Sequence, residues 1–386
     1  MSAASPSSGS TPPSGPLAGV RVVELGAIGP VPFAGAVLAG LGAEVIRVQR
    51  PGATPLLAPD TRLNVALRSR RSVVLDLKEP LAVEAVLRLA AGADALLEGW
   101  RPGVAERLGV GPDTCLAANE RLVYGRMTGW GQTGPLSGTA GHDINYVALT
   151  GALHAIGRAG GPPVPPLNLV GDFGGGGMLL AVGVLSALVA ARASGKGQVV
   201  DAAMVDGAAL LALSLAGYVS AGVWSLERGT NLLDSGAPFY DVYETADRRW
   251  VAVGAIEAPF FAALLAGLEL DPVSLPDQHD RRRWPELRAR LAERFRTKTR
   301  DEWEQAFAGT DACVTPVLTF AEAPAHPHNA SRGSFVELDG IPQPAPAPRF
   351  SRTPTATPAP PTDPGADTRD VLAELGFAED ELARLL

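Results

Sequence analysis

The strongest constraint on the fold is a regular alternation of strand and helix patterns near the start of the chain. Residues 20–25 form a short run of β-branched and apolar side chains, which is typical of a buried strand. After a break rich in glycine and proline, residues 33–41 have helical spacing, and residues 44–48 form a second strand pattern. Strand, helix and strand within about thirty residues indicate a βαβ unit, and therefore a parallel sheet.

The alternation continues and extends the predicted sheet. Pro80–Ala91 is an amphipathic helix pattern, and further strands are predicted at residues 72–77, 95–98 and 122–127. The sequence therefore predicts an α/β fold with a large, Rossmann-like parallel-sheet domain. In such folds the ligand lies beyond the carboxyl ends of the strands.

The chain of 386 residues is long enough for about two domains. A hairpin pattern at residues 239–254 marks a change to α+β character. Residues 178–193 and 204–219 are predicted as long buried helices. We predict a disordered tail at 1–15, a large α/β domain at 16–225, a linker at 226–239, a small α+β domain at 240–333, and at 334–386 an extended connector with a C-terminal helix that returns to the large domain.

Composition excludes some classes of function. The net charge of −8 argues against nucleic acid as a partner. Two cysteines, Cys115 and Cys313, are too few and too far apart for a disulfide framework or a zinc site, which favours a cytoplasmic protein. The start of the chain does not have the pattern of a secretory signal. The apolar run 178–193 is short for a bilayer, so we expect a core helix and no membrane partner.

Arginines are placed near the predicted sheet edge. Arg50 follows the second strand, and Arg101 and Arg107 follow the fourth, while Arg68, Arg70 and Arg71 precede the third. Such a set suits a phosphate-bearing ligand. Any one of these arginines is more often a solvated surface residue, so the prediction depends on the group.

A histidine and an aspartate lie in two short polar breaks about thirty residues apart, in Gly141–Tyr146 and in residues 168–177. Asp172 precedes four glycines and the apolar run, so it is expected near a helix N-terminus, where backbone N–H groups suit an oxyanion. His142 and Asp172 could act as two acid/base groups on one carbon. Each also has a structural alternative: a packed histidine, an N-cap aspartate, and a flexible glycine turn or phosphate cradle. The glycine run matches neither a P-loop nor the G-x-G-x-x-G pattern.

Several motifs resemble those of the family III CoA-transferase (CaiB/BaiF) superfamily. The resemblance covers residues 16–376 and includes residues 16–25, 70–78, 98–103 and 195–198. Within the superfamily, Gly-His-Asp-Ile-Asn-Tyr at 141–146, Gly-Asp-Phe-Gly-Gly-Gly at 171–176 and Val-Gly-Ala-Ile-Glu at 253–257 are similar to the α-methylacyl-CoA racemase branch. In the transferases the aspartate that matches Asp172 is the nucleophile, and the histidine that matches His142 is typically missing.

The resemblance implies racemisation at C2 of 2-methylacyl-CoA thioesters by two-base proton transfer through an enolate, in an interlocked homodimer. His142 and Asp172 would be the two bases, with Glu257 of the small domain of the second chain supporting the imidazole. No metal or other cofactor is implied, because CoA is part of the substrate. The oxyanion would be held at a turn formed by Gly171, Asp172, Phe173 and Gly174. The residues that match CoA-binding positions are Arg50, Leu75, Asp76, Leu77, Lys78, Gly99, Trp100, Arg101, Arg107, Gly141, Asp143, Ile144, Asn145 and Tyr146.

Two alternatives stay open at this stage. The first is a CoA-transferase that uses Asp172 as its nucleophile, and the second is a non-catalytic protein that binds acyl-CoA. The sequence does not specify the acyl chain, and it does not align residues 51–64 with the family.

Overall fold

The computed structural model describes residues 14–53 and 60–386 of the chain, so most of the predicted tail at 1–15 and part of the unaligned stretch 51–64 lie outside it. The strands are β1 (Arg21–Leu25), β2 (Glu44–Gln49), β3 (Arg70–Val74), β4 (Ala95–Glu98), β5 (Val123–Thr128), β6 (Gln198–Ala203), β7 (Tyr240–Glu244), β8 (Trp250–Gly254), β9 (Val314–Pro316), β10 (Phe335–Leu338) and β11 (Ile341–Pro344).

The α-helices of these residues are α1 (Pro30–Gly40), α2 (Pro80–Ala91), α3 (Val104–Arg107), α4 (Pro112–Ala118), α5 (Asp143–Leu149), α6 (Ala152–Ala155), α7 (Leu179–Ser194), α8 (Met204–Leu211), α9 (Leu213–Ser220), α10 (Ala258–Gly267), α11 (Trp284–Phe295), α12 (Arg300–Phe307), α13 (Pro327–Arg332), α14 (Thr368–Glu374) and α15 (Glu379–Leu385). A wider helical stretch, Leu169–Met178, runs directly into α7.

The predicted parallel sheet is confirmed. Six parallel strands are arranged in the order β3-β2-β1-β4-β5-β6. Strand order reverses beside β1, which is the doubly wound arrangement that leaves a crevice at the carboxyl ends of β1 and β4. Successive residues of a strand point to opposite faces. Val22 therefore packs under α1 and α7, whereas Val23 packs on the opposite face with residues of α2, α14 and α15.

The predicted third strand, 72–77, is wrong at both ends, since β3 covers Arg70–Val74. The apolar pattern continues beyond the sheet because Leu75 is still buried and its N–H donates to the Gln49 carbonyl. Asp76 then begins a turn, in which its carbonyl accepts the Glu79 N–H at 2.9 Å. The chain therefore leaves the sheet before Leu77.

The long helix predicted at 204–219 is wrong. It is divided into α8 and α9 at Ala212, and α9 has no buried residue. The helix predicted at 178–193 is present as α7. Together with the stretch before it, Leu169–Ser194 is long and apolar enough to cross a membrane by length and composition alone, and 39% of its most apolar window is buried. Because α7 packs on the sheet with α1, one of its faces is part of the core.

The described chain forms two compact units. One contains residues up to 150, 167–211 and 328–386, and the other contains residues 151–166 and 212–327. The second unit has an antiparallel sheet in the order β7-β8-β9, which includes the predicted hairpin. Its core contains Phe239, Val251, Leu287 and Trp303, with helices α10, α11 and α12 around it.

The C-terminal residues of the first unit run along the free edge of β3. Ser72 donates its N–H to the Asp367 carboxylate at 2.7 Å, and Val74 donates its N–H to the Thr368 hydroxyl at 3.1 Å. These contacts satisfy backbone groups that an edge strand would otherwise expose. The connector and α14 therefore complete this side of the sheet.

Candidate active site

A cavity of about 980 Å³ lies in the first unit at the carboxyl ends of the parallel strands. Its wall is formed by the segments that follow β1, β2, β3, β4 and β5. The five segments meet there because parallel strands all end at the same edge of the sheet. The cavity thus has the position that the sequence predicts for the ligand.

Three of the predicted arginines have structural partners instead of facing a ligand with free guanidinium groups. Arg70 is buried and bonded to the Glu24 carboxylate at 3.0 Å, and burial lowers the pKa of Arg70. Arg71 pairs with Glu374 at 2.7 Å. Arg68 donates to the Gln343 side chain at 2.9 Å.

Arg50 and Arg101 differ from these three. Both are exposed and line the cavity, and within the described parts of the chain neither is paired with a carboxylate. Arg107 is also exposed but does not line the cavity. Arg50, Arg101 and the neighbouring Lys78 are therefore the side chains best placed to meet phosphate groups.

His142 is the N-cap residue of α5 and lines the cavity. Its N–H donates to the Asn145 side-chain oxygen at 3.0 Å, which fixes the backbone just before the helix. The preceding Gly141 is held by the hydroxyl of Tyr146, which donates to its carbonyl. The Tyr146 ring in turn packs edge-on against Trp130, with centroids 4.7 Å apart. The imidazole is therefore attached to a rigid corner and remains exposed.

Asp172 lies in the stretch Leu169–Met178, which is a π-helix and not the predicted turn. The Phe173 N–H donates to the Asn168 carbonyl five residues earlier, at 3.2 Å. π-Helical segments are rare and occur frequently at functional sites. Asp172 is thus in the first turn of a long helix, close to the predicted N-terminal position.

The glycines at 174–177 allow the π-helical stretch to pack closely against α1 and α8. A Cβ atom at Gly175 would lie 2.6 Å from the Ala208 nitrogen of α8, and one at Gly177 would lie 2.7 Å from the Phe33 ring of α1. Ordinary side chains do not fit between these helices and the π-helical stretch. The run is therefore neither a flexible turn nor a phosphate cradle.

The pKa of the Asp172 carboxyl group is raised. Burial is the main cause, because it disfavours the charged form, and the nearby Asp143 carboxylate acts in the same direction. A hydrogen bond from the Asn168 amide, at 3.3 Å, and the charge of His142 act in the opposite direction. A carboxyl group whose pKa is raised is better suited to donate a proton near neutral pH.

Most of the predicted site residues meet at this one cavity. Those that line it are Arg50, Leu75, Asp76, Leu77, Lys78, Gly99, Trp100, Arg101, Gly141, His142, Tyr146, Asp172 and Phe173. The predicted residues that do not line it are Arg107, Asp143, Ile144, Asn145, Gly171 and Gly174 in the first unit, and Glu257 in the second. Glu257 is exposed at the N-cap position of α10.

Sequence reasoning missed several parts of the wall. Residues 26–32 and 128–130 line the cavity, and their positions after β1 and β5 could have identified them. Thr362 and Pro364 of the connector also line it. No local pattern identifies these two, because they reach the cavity through pairing with a strand almost 300 residues earlier, as in the bond between Gly365 N–H and the Ser72 hydroxyl. In the described residues no group of three or more His, Cys, Asp or Glu side chains is arranged to hold a metal.

The family model for CoA-transferase family III matches residues 17–368, which is most of the chain. The chain belongs to CoA-transferase family III. It is 50% identical to the alpha-methylacyl-CoA racemase of Mus musculus and 46% identical to that of Homo sapiens, with 96% of each chain covered in both comparisons. The succinyl-CoA:glutarate CoA-transferase of Homo sapiens is 29% identical, over 93% of this chain and 86% of its own.

Solved structures of the family have the same fold. A CAIB/BAIF family protein from Brucella suis superposes with a TM-score of 0.82 at 26% identity, covering 94% of this chain and 100% of the other. Family membership and the shared fold therefore agree with the sheet order and with the position of the cavity.

Proposed function

We propose that the protein is an α-methylacyl-CoA racemase, which inverts the configuration at C2 of 2-methylacyl-CoA thioesters. The observation that carries the proposal is that His142 and Asp172 border one cavity while each is attached to the start of a different helix. The likeness to racemases named in mouse and human, at about half of all positions, supports the same activity.

Inversion needs a proton to leave one face of the α-carbon and another to arrive on the opposite face. A single base returns the proton to the face that it left, so two groups are required. In one direction neutral His142 takes the proton and protonated Asp172 donates its own. In the other direction ionised Asp172 takes the proton and the imidazolium of His142 donates. The enzyme thus holds one proton on the pair in every productive complex.

The thioester makes the α-proton acidic, because the negative charge moves onto its carbonyl oxygen as an enolate. The family resemblance predicts that N–H groups of residues 171–174 hold this oxygen. The Asp172 N–H donates to Asp143 and the Phe173 N–H donates to Asn168, so two of the four groups are already used within the protein. Which N–H groups donate to the enolate oxygen stays a prediction.

The test uses one enantiomer of a 2-methylacyl-CoA in D2O without any acceptor acid. We expect α-deuterium uptake together with loss of optical purity. Absence of both, with an intact and folded protein, would refute the proposal. A non-catalytic acyl-CoA-binding protein would bind the thioester in the same assay and leave the α-proton in place.

A CoA-transferase is the second candidate, because the Asp172 carboxylate lines the cavity and transferases belong to the same family. In that reaction the Asp172 carboxylate would attack the thioester carbonyl, forming a mixed anhydride and releasing the CoA thiolate. The thiolate would attack the aspartyl carbonyl of this anhydride, so that the donor acid leaves and CoA is carried on Asp172 as a thioester. An incoming carboxylate would then displace CoA to form a second anhydride, and attack of the thiolate on the new acyl carbonyl would release the product CoA thioester and free Asp172. His142 has no required part in this sequence of steps. Transfer of CoA that appears only when a free carboxylic acid is added, without α-exchange, would support this candidate.

We also propose that the protein acts as a homodimer. Large apolar side chains are exposed on α7 and α8, and Val182 and Val189 lie seven residues apart on one face of α7, with exposed fractions of 56% and 70%. Light scattering should give twice the mass of one chain. Val189→Lys should weaken the dimer, whereas Val273→Lys, at an isolated valine that is 92% exposed, should leave it intact. A monomer at micromolar concentration contradicts the proposal.

Glu257 is proposed to support His142 of the other chain in this dimer. Coexpression of a His142→Ala chain with a Glu257→Ala chain tests this arrangement. If Glu257 acts across the dimer, the mixed dimer has one complete site and recovers up to half of the wild-type activity. If it acts within its own chain, both sites of the mixed dimer lack one group and activity stays at the level of the single variants.

A cytoplasmic location is proposed as well, from cysteine usage. Cys115 is buried and unpaired, and Cys313 is exposed and unpaired. Free thiols of this kind persist in a reducing compartment. Fractionation of cells of the source organism, with antibody detection, tests the location directly.

A further inference from the structure

Asp143 is a buried acidic residue between the two proposed bases. It is the first residue of α5, directly after His142, and its exposed fraction is 8%. Its Oδ1 atom accepts the backbone N–H of Asp172 at 2.7 Å, across 29 residues of sequence. This hydrogen bond joins the start of the helix that carries Asp172 to the start of the helix that follows His142.

The segments joined by this bond pack closely at Gly171. A Cβ atom at Gly171 would collide with the Asp143 carboxylate, so only glycine allows the two segments to approach this closely. The other oxygen of Asp143, Oδ2, is buried and has no hydrogen-bond donor within residues 14–53 and 60–386. Buried polar atoms without a partner are rare and costly, which argues that the carboxylate has a use beyond stability.

We propose that Asp143 is a positioning residue, whose carboxylate fixes the backbone of Asp172 relative to His142 and keeps a negative charge beside the Asp172 carboxyl group. This inference rests on the proposed racemase function. This role differs from the sequence-based prediction that Asp143 contacts CoA, and Asp143 is not among the residues that line the cavity. The hydrogen bond from the Asp172 N–H to Asp143 fixes the position of Asp172, and the negative charge of Asp143 disfavours ionisation of the Asp172 carboxyl group.

The other charged groups near Asp172 are few. No titratable side chain occurs in α1, which packs against the π-helical stretch. The remaining titratable or charged residues on elements packed against that stretch are His142 and Tyr146 of the α5 region, Asp206 of α8, Arg192 of α7, Tyr124 and Arg126 of β5 and Asp201 of β6. Arg126 is engaged by Glu98 and Glu106, and the Tyr124 hydroxyl donates to the Val110 carbonyl. The charged side chains that shift the pKa of Asp172 are Asp143 and His142. Asp143 is therefore the main negative neighbour.

Two substitutions separate the two roles. Asp143→Asn keeps an oxygen for the Asp172 N–H and removes the charge, while Asp143→Ala removes both. Asp113→Asn is the matched control, because Asp113 is an exposed aspartate in the first turn of α4. Each variant is assayed for inversion and α-deuterium uptake from pH 4 to 9, and its thermal unfolding is recorded. Hydrogen exchange of peptides covering 168–178 reports the hydrogen bond itself.

Asp143→Asn should remain folded and active, with the acidic limb of its pH profile moved to lower pH by about half to one unit, because the pKa of Asp172 falls without its neighbour's charge. Asp143→Ala should lose about 10- to 100-fold in kcat with a smaller change in KM, and its 168–178 peptides should exchange faster. The control should match wild type. If Asp143→Asn is active and the acidic limb of its pH profile is unchanged, the inference is overturned. A wild-type protein without α-exchange instead overturns the proposed function.

Discussion

Replacement of Gly175 by alanine should destabilise the protein and impair the site, although alanine is the better helix former. The added methyl group would lie 2.6 Å from the Ala208 nitrogen, 2.8 Å from the Gly207 carbonyl carbon and 2.9 Å from the Val170 oxygen. All three are backbone atoms, so no side chain can rotate away. The helix α8 and the π-helical stretch must separate by several tenths of an ångström.

The magnitude follows from two opposing contributions. Overpacking of a well-packed contact costs typically about 1–3 kcal/mol, and contact with three backbone atoms favours the upper part of that range. Alanine in place of glycine inside a helix returns about 1 kcal/mol. The free energy of unfolding should therefore fall by about 1–2 kcal/mol. Because Asp172 is three residues from Gly175, the racemase rate should also fall, by about tenfold or more.

Urea unfolding and the deuterium-exchange assay measure the two effects. Gly217→Ala is the control, since Gly217 lies in α9 and an added Cβ would have no neighbour within 4 Å. That variant should gain about 0.5–1 kcal/mol from helix propensity. If Gly175→Ala is as stable as wild type and fully active, the reasoning that the glycines serve close helix packing is refuted.

Three further predictions concern the site and its support. Arg50→Ala and Arg101→Ala should each raise KM for the CoA thioester with little change in kcat. The difference in KM from wild type should be smaller at high salt, because salt screens exposed charges. Arg121 is an exposed arginine away from the cavity, and an equal effect of Arg121→Ala would contradict this prediction. Arg70→Ala should cost about 3–5 kcal/mol in unfolding free energy, because it leaves Glu24 buried with one arginine partner fewer. Arg62→Ala removes a solvent-exposed ion pair and should leave the unfolding free energy almost unchanged, so comparable losses in the two variants would refute the distinction. The folded state raises the pKa of Asp172 above the unfolded value of 3.8, so ionisation of this group opposes folding as pH rises. Asp172→Asn should therefore match wild type in stability at pH 3 and be more stable than wild type at pH 7. The reverse order would contradict the raised pKa.

Local patterns were sufficient where neighbours in sequence determine the structure. The helix α2 begins after Glu79 with Pro80 at its first turn and ends at Gly92, so its bounds follow from the residues themselves. The strand β4 was also placed correctly, because a short apolar run between a helix and a Gly-Trp turn fits a buried parallel strand. The alternation of such units determined the sheet.

Other features depend on distant partners and were not predictable from local sequence. The glycines at 174–177 have the composition of a turn, but packing against α1 and α8 makes them helical. The local sequence around Arg71 is typical of a ligand-binding arginine, but in the structure Arg71 forms an ion pair with Glu374, which is about 300 residues away in sequence. The apolar residues of α9 have the composition of a core helix, yet none of them is buried in the single chain. In each case the missing information is which surface the residue meets.

The central claim is that His142 and Asp172 serve opposite faces of one α-carbon. Its most direct test is the α-deuterium exchange of each pure enantiomer by His142→Gln and by Asp172→Asn, followed by mass spectrometry and chiral analysis. Each variant should lose inversion, and any remaining exchange should be confined to one enantiomer, opposite for the two variants. Exchange of the same enantiomer by both variants, or inversion retained by either, would contradict the account.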